Sequence, residues 1–146
     1  MTKREPQRGF SLIELLVVMA IIVTIITLAI PKYEQAMMSA RETSAMNSLK
    51  VIYGAQLQYH DRFGKYAANV SDLGAPGANF IGEDLASGLH KGYKFTLVAT
   101  SDTYAVNANP ETNRKGARTF YLDDNGPPIR SNLAPEPANA TSAIVR

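Results

Sequence analysis

Gly9-Phe10-Ser11-Leu12-Ile13-Glu14-Leu15-Leu16-Val17-Val18-Met19-Ala20 opens a run that ends only at Ile30-Pro31. Its reading decides the fold. Seventeen of the 21 residues from Phe10 to Ile30 are apolar, and no Lys or Arg lies between Gly9 and Pro31. As a helix rising ~1.5 Å per residue, this stretch reaches roughly 31 Å, the thickness of a bilayer's hydrocarbon core. The preceding residues 1–9 are short and basic, with Lys3, Arg4 and Arg8 against Glu5. A flank of that kind stays in the cytoplasm and sends everything after Pro31 across the membrane. A secretory signal would instead end its apolar core in a small-residue cleavage site, and Leu28-Ala29-Ile30-Pro31 is a poor one.

The remainder is built for water. From Pro31 to Arg146, 48 of 116 residues are apolar. The whole chain of 146 residues is 45% hydrophobic, which suits one ordinary domain and excludes disorder throughout. It has no cysteine, so neither a disulfide framework nor a thiolate metal site is available.

Glu14 is the anomaly within the span. A carboxylate at that depth costs on the order of 2–3 kcal/mol or more, so it asks for a functional reason. A bland alternative leaves it one turn inside the helix, hydrated near the headgroups. The neighbouring residues favour function. Gly9-Phe10-Ser11-Leu12-Ile13-Glu14 followed by an unbroken apolar helix resembles the processing motif of type IV pilin-like proteins. The features shared are a basic leader ending in Gly, then Phe, then Glu at the fifth position of the new chain. Pro31 also falls where many members carry a proline. The resemblance is strongest over residues 1–66.

The resemblance implies that a prepilin peptidase cuts between Gly9 and Phe10 and methylates the new amine of Phe10. The cut leaves the apolar helix attached. It also creates an ammonium that is costly in lipid, and a neighbouring subunit's Glu14 relieves that cost by pairing with it. Loss of residues 1–9 leaves 12 basic and 12 acidic side chains, so the net charge of +2 belongs to the leader. No specific nucleic-acid partner is expected.

Pro31 lacks an amide hydrogen and is expected to kink or loosen the helix nearby. Beyond it, Met38, Ala45, Leu49, Ile52, Gln56, Tyr59 and Phe63 recur at helical spacing. Met46 and Tyr53 widen the stripe, while Arg41, Glu42 and Lys50 are read as lying off it. A helix from Phe10 to about Tyr59 is roughly 75 Å long, too long for one small domain to cover. Its first half needs lipid before assembly and other copies afterwards; its second half needs the chain's own globular part.

Gly64 ends the helix. Phe63-Gly64-Lys65-Tyr66 and then Ser71-Asp72-Leu73-Gly74 resemble the segment after the helix in major pilins and major pseudopilins. Residues 74–92 read as a long loop with one short helical turn near Glu83–Ala86. Tyr93–Ala99 alternates cleanly, and Thr103–Ala108 follows in phase as the second arm of a hairpin. A third strand is expected at Arg118–Leu122, with Asp123-Asp124-Asn125-Gly126 turning towards Ile129-Arg130. The expected fold is α+β: a long N-terminal helix on a three- or four-stranded antiparallel sheet. Its parts are residues 1–9 (leader), 10–31 (transmembrane and filament-core helix), 32–63 (amphipathic continuation), 64–131 (globular sheet) and 132–146 (mobile tail).

The sequence holds no HExxH, Walker A, nucleophile elbow or dinucleotide fingerprint, and no enzyme is expected. His60 and His90 are isolated and read as packing or surface residues. Gly74, Gly77 and Gly82 superficially suggest a phosphate loop but lack its Lys-Ser/Thr. Arg114, Lys115 and Arg118 read as one solvated basic loop. No cofactor is expected. Asp123, Asp124 and Asn125 are the candidates for Ca²⁺, since the resemblance extends to pseudopilins that carry calcium near the sheet; a metal-free Asp-Asp-Asn-Gly turn accounts for the same residues.

The resemblance implies a subunit that sits in the bacterial inner membrane as a single pass and then polymerises with its own copies. Prepilin peptidase and an inner-membrane assembly platform are the implied partners. Filaments of this kind serve adhesion, twitching motility and in cases DNA uptake. The alternative is the major pseudopilin of a type II protein secretion system, in a pseudopilus spanning the periplasm.

Overall fold

The computed structural model describes residues 9–76, 78–112 and 117–145. They divide into two units, one running to Met37 and the other from Met38 to Arg146. Helix α1, Leu12–Phe63, contributes residues to both.

In the first unit every residue from Gly9 to Met37 is exposed, although the apolar content is high enough to cross a membrane. The Leu15 amide donates to the Ser11 carbonyl at 3.1 Å, closing the first turn. Thr24 and Thr27 spend their hydroxyls on backbone carbonyls of Ala20 and Thr24, each at 2.8 Å. Neither hydroxyl is left to face hydrocarbon without a partner. The helix runs on through Pro31, whose missing N–H leaves the Thr27 carbonyl without its usual donor.

The second unit has its own core. Ala45, Leu49, Ile52 and Ala55 of α1 cluster with Phe95, Leu97, Val106, Phe120 and Leu122. Short helices α2 (Val70–Gly74) and α3 (Glu83–Ala86) add Val70, Leu73 and Leu85 to it. The sheet is a six-stranded antiparallel meander in chain order: β1 (Leu89–His90), β2 (Tyr93–Ala99), β3 (Tyr104–Pro110), β4 (Arg118–Asp123), β5 (Arg130–Leu133) and β6 (Ala143–Ile144). The register sets Leu97 opposite Val106 and Val106 opposite Leu122, so the apolar members of each alternation share the helix-facing side.

The α+β architecture and the segment Tyr93–Ala99 match expectation; the strand count does not. Six strands replace three or four, because β1 and β6 have two residues each and too few positions to show a period. Residues 70–74, of which only Gly74 fell in the expected loop, form α2, where the Asn69 amide donates to Asp72 Oδ2 at 3.0 Å.

The stretch 132–146 was expected as a mobile tail; its residues 132–133 and 143–144 instead belong to β5 and β6, and the segment between them is held to the sheet. Thr119 donates its hydroxyl to the Glu136 carbonyl at 2.8 Å, and Asn107 Nδ2 donates to the Ala138 carbonyl at 2.6 Å. Ala138 is buried, and the Val145 amide reaches the Ile129 carbonyl at 2.9 Å. An Ala-, Pro- and Asn-rich segment offers few apolar anchors to a reader of composition. Here its backbone carbonyls do the holding, and composition does not record them.

Candidate assembly site: Phe10, Glu14 and the apolar helix

Phe10 precedes α1 and is 80% exposed; Glu14 lies in the helix's first turn and is also exposed. An acidic side chain there sits next to unpaired backbone N–H groups and the positive end of the helix dipole. Around it Leu12, Ile13, Leu15, Leu16, Val17 and Val18 all stand free. One carboxylate thus occurs in an apolar surface with no counter-charge from its own described residues. Chemically, a carboxylate in such a place can accept a cation.

In the second unit the charged group that matters is one the sequence reading placed off the stripe. Glu42 is 6% exposed and faces the sheet. Its Oε2 accepts from Arg118 Nε at 2.9 Å and Nη2 at 2.7 Å, and its Oε1 accepts from the Arg118 backbone amide at 3.0 Å. The Tyr93 hydroxyl donates to the Arg118 carbonyl at 2.8 Å. Burial and the Glu42 charge push Tyr93 up to about 12, partly offset by Arg118. This three-point grip fixes β4 to α1. A signal was available: Glu42 lies three before Ala45 and seven before Leu49, on their face.

Arg118 is therefore a strand residue with a partner, which corrects its reading as part of a solvated loop. Arg114 and Lys115 lie outside the described residues, as does Gly77 of the glycine series. Gln56, fully buried, clamps the chain after α1 by exchanging two hydrogen bonds with the Ala67 backbone, at 2.9 and 3.0 Å. His60 is exposed and stacks at 4.6 Å on Tyr66; His90 approaches Asp84 at 3.6 Å.

The Asp123-Asp124-Asn125-Gly126 segment forms the expected turn. Asp123 Oδ1 accepts from both the amide and the side chain of Asn125 at 3.1 Å, and the Gly126 amide returns to the Asp123 carbonyl at 2.9 Å. Gly126 has φ +78 and lies so close to Tyr53 that an added Cβ would stand 2.8 Å from its hydroxyl. Among the described residues no group of three or more His, Cys, Asp or Glu is placed to hold a metal ion.

A family model described as the prokaryotic N-terminal methylation motif matches residues 5–30, the segment containing Phe10 and Glu14. Over that segment the chain is similar to type IV pilin-like proteins. The type IV major pilin protein PilA of Myxococcus xanthus is 33% identical over 67 residues. That alignment takes in 46% of this chain and 30% of the relative's length, so the chain spans less than a third of the relative it matches. No solved structure matches.

Proposed function

We propose that this pilin-like chain is a structural subunit of a type IV pilus-like filament, inserted in the inner membrane and polymerised through the first half of α1. Prepilin peptidase removes residues 1–9, and Phe10 becomes the methylated N-terminus. The observation that carries this reading is the pairing of opposites along one helix. A fully exposed apolar stretch holding a lone Glu14 is followed by a unit whose core is already filled. Lipid satisfies the apolar stretch in the unassembled subunit, and copies of the same stretch satisfy it in the filament. The Phe10 ammonium of one copy then pairs with Glu14 of the next, each relieving the other's desolvation. Adhesion and twitching motility are the roles that such a surface filament supports, with DNA uptake a further one.

The test is electron microscopy and mass spectrometry of filaments sheared from native cells. The reading predicts long filaments made mainly of a chain that begins at N-methylated Phe10. A processed chain that stays in the membrane and enters no surface filament would overturn it in favour of the type II secretion pseudopilin. Export of secreted proteins in a deletion strain would then be the quantity to follow.

A further inference from the structure

Two Asn-x-Ser/Thr triplets occur in the sequence, Asn69-Val70-Ser71 and Asn139-Ala140-Thr141, and the fold treats them differently. Asn69 is occupied. Its side-chain amide donates to Asp72 Oδ2 at 3.3 Å, and the two residues after it are already in α2, with Val70 buried. Asn139 is presented. Its neighbour Ala138 is anchored and buried, while Asn139, Ala140 and Thr141 are all exposed. Asn139 Oδ1 accepts from the Thr141 hydroxyl at 2.7 Å, the Thr141 amide at 2.9 Å and the Ser142 hydroxyl at 3.3 Å. Its Nδ2 makes no hydrogen bond among the described residues.

We propose that Asn139 Nδ2 is an acceptor for an asparagine-linked glycan. The donor class is a lipid-linked oligosaccharide diphosphate, used by a membrane oligosaccharyltransferase on the non-cytoplasmic face. A bond forms between the sugar's C1 and Asn139 Nδ2 while the C1–O bond to the diphosphate breaks. The lipid diphosphate leaves with that electron pair, and the displaced amide proton passes to a base of the transferase. Three donors on Oδ1 draw electron density from the amide and ease that proton loss. Such triplets accept glycans on surface segments of exported chains, which is where the fold sets this one. The inference rests on the proposed topology, in which the chain after Pro31 crosses the membrane. In a filament, every copy would display the same bulky hydrophilic group beside the outer side of its sheet.

Tryptic mass spectrometry of the full chain from native membranes tests it, because residues 131–146 form one peptide and Asn69 lies in another. The expected result is a glycan mass on Asn139, located by fragmentation, and none on Asn69. Thr141→Val should abolish that mass and Thr141→Ser should keep it. An unmodified 131–146 peptide overturns the inference, as does a sugar found on the Thr141 or Ser142 hydroxyl. The same digest reads the start of the chain. A methylated Phe10 terminus with bare Asn139 sinks the glycan alone, whereas a chain still carrying residues 1–9 counts against the processing reading.

Discussion

The two halves of α1 share one backbone geometry and obey opposite surface rules. From Leu12 to Ile30 apolar side chains surround the helix, and every residue from Leu12 to Met37 is exposed. From Met38 to Phe63 one stripe is buried, and the most consequential residue on it is charged, Glu42. A helix apolar all round is stable only in a solvent as apolar as itself, whether lipid or identical helices. A striped helix needs one partner surface, and the sheet supplies it. Each half also carries one carboxylate facing an apolar environment. Glu42 finds its cation 76 residues along the same chain, while Glu14 finds none among its own described residues. The contrast locates intramolecular stability in the second half and, under the proposed function, gives assembly to the first.

The comparison breaks first if Glu14 is dispensable. Glu14→Ala should insert and be processed, yet leave the Phe10 ammonium unpaired at about 2–3 kcal/mol per contact. Filament yield, weighed from sheared cells, should fall on the order of 30- to 150-fold. Equal yield would put the two carboxylates in the same class.

Glu42→Ala should act on the other half. Breaking a buried bidentate pair costs about 3 kcal/mol here, at the low end because the Arg118 side chain is 40% exposed and can rehydrate. Chemical unfolding of the detergent-solubilised chain measures that loss, with membrane insertion unchanged. Stability within 0.5 kcal/mol of wild type, roughly the scatter of surface substitutions, would remove the grip from the account.

Alkaline titration sharpens the same region. Tyr93 is raised from 10.0 to about 12 in the folded chain, so the stability it contributes is complete below pH 10 and is lost as pH rises towards 12. About 2 kcal/mol should disappear over that interval in wild type and less in Tyr93→Phe. Parallel pH profiles for the two proteins would contradict the assignment. Burial also raises Tyr104, so a residual alkaline slope in Tyr93→Phe is expected.

The smallest effect belongs to the C-terminal strap. Thr119→Val should cost about 1 kcal/mol by orphaning the Glu136 carbonyl, and should hasten protease cleavage beyond Leu133. Unchanged cleavage kinetics would mean that β6 and its neighbours hold the strap without this hydrogen bond.

Legibility in the sequence followed the length of each element's pattern. The 21-residue apolar run, the stripe through Leu49 and Ile52, and the alternation from Tyr93 to Ala99 each repeat often enough to be read directly. Even the short α3 was visible, because Gly82 precedes two acids that suit a helix start. The two-residue strands had no such repeat, although Lys91-Gly92, with φ of 48 and 80, is the tight turn that makes β1 and β2 a hairpin. The strap's anchors are carbonyls of Glu136 and Ala138, which any residue supplies. Glu42 was visible by position and hidden by charge: its burial makes sense only with Arg118, and no local pattern links residues 42 and 118. At the candidate assembly site, the motif around Phe10 and Glu14 was readable because it lies in one continuous stretch, the same stretch the methylation-motif model matches.

The most direct test of the account is a helical reconstruction of assembled filaments that measures the separation between Glu14 and the Phe10 nitrogen of a neighbouring copy. The account predicts a carboxylate-to-amine contact within about 4 Å, the ion-pair range, inside a core of helices 10–30 with the sheets outside. Glu14 carboxylates standing beyond a Debye length of about 10 Å from every Phe10 nitrogen, or apolar helices facing solvent, would contradict it.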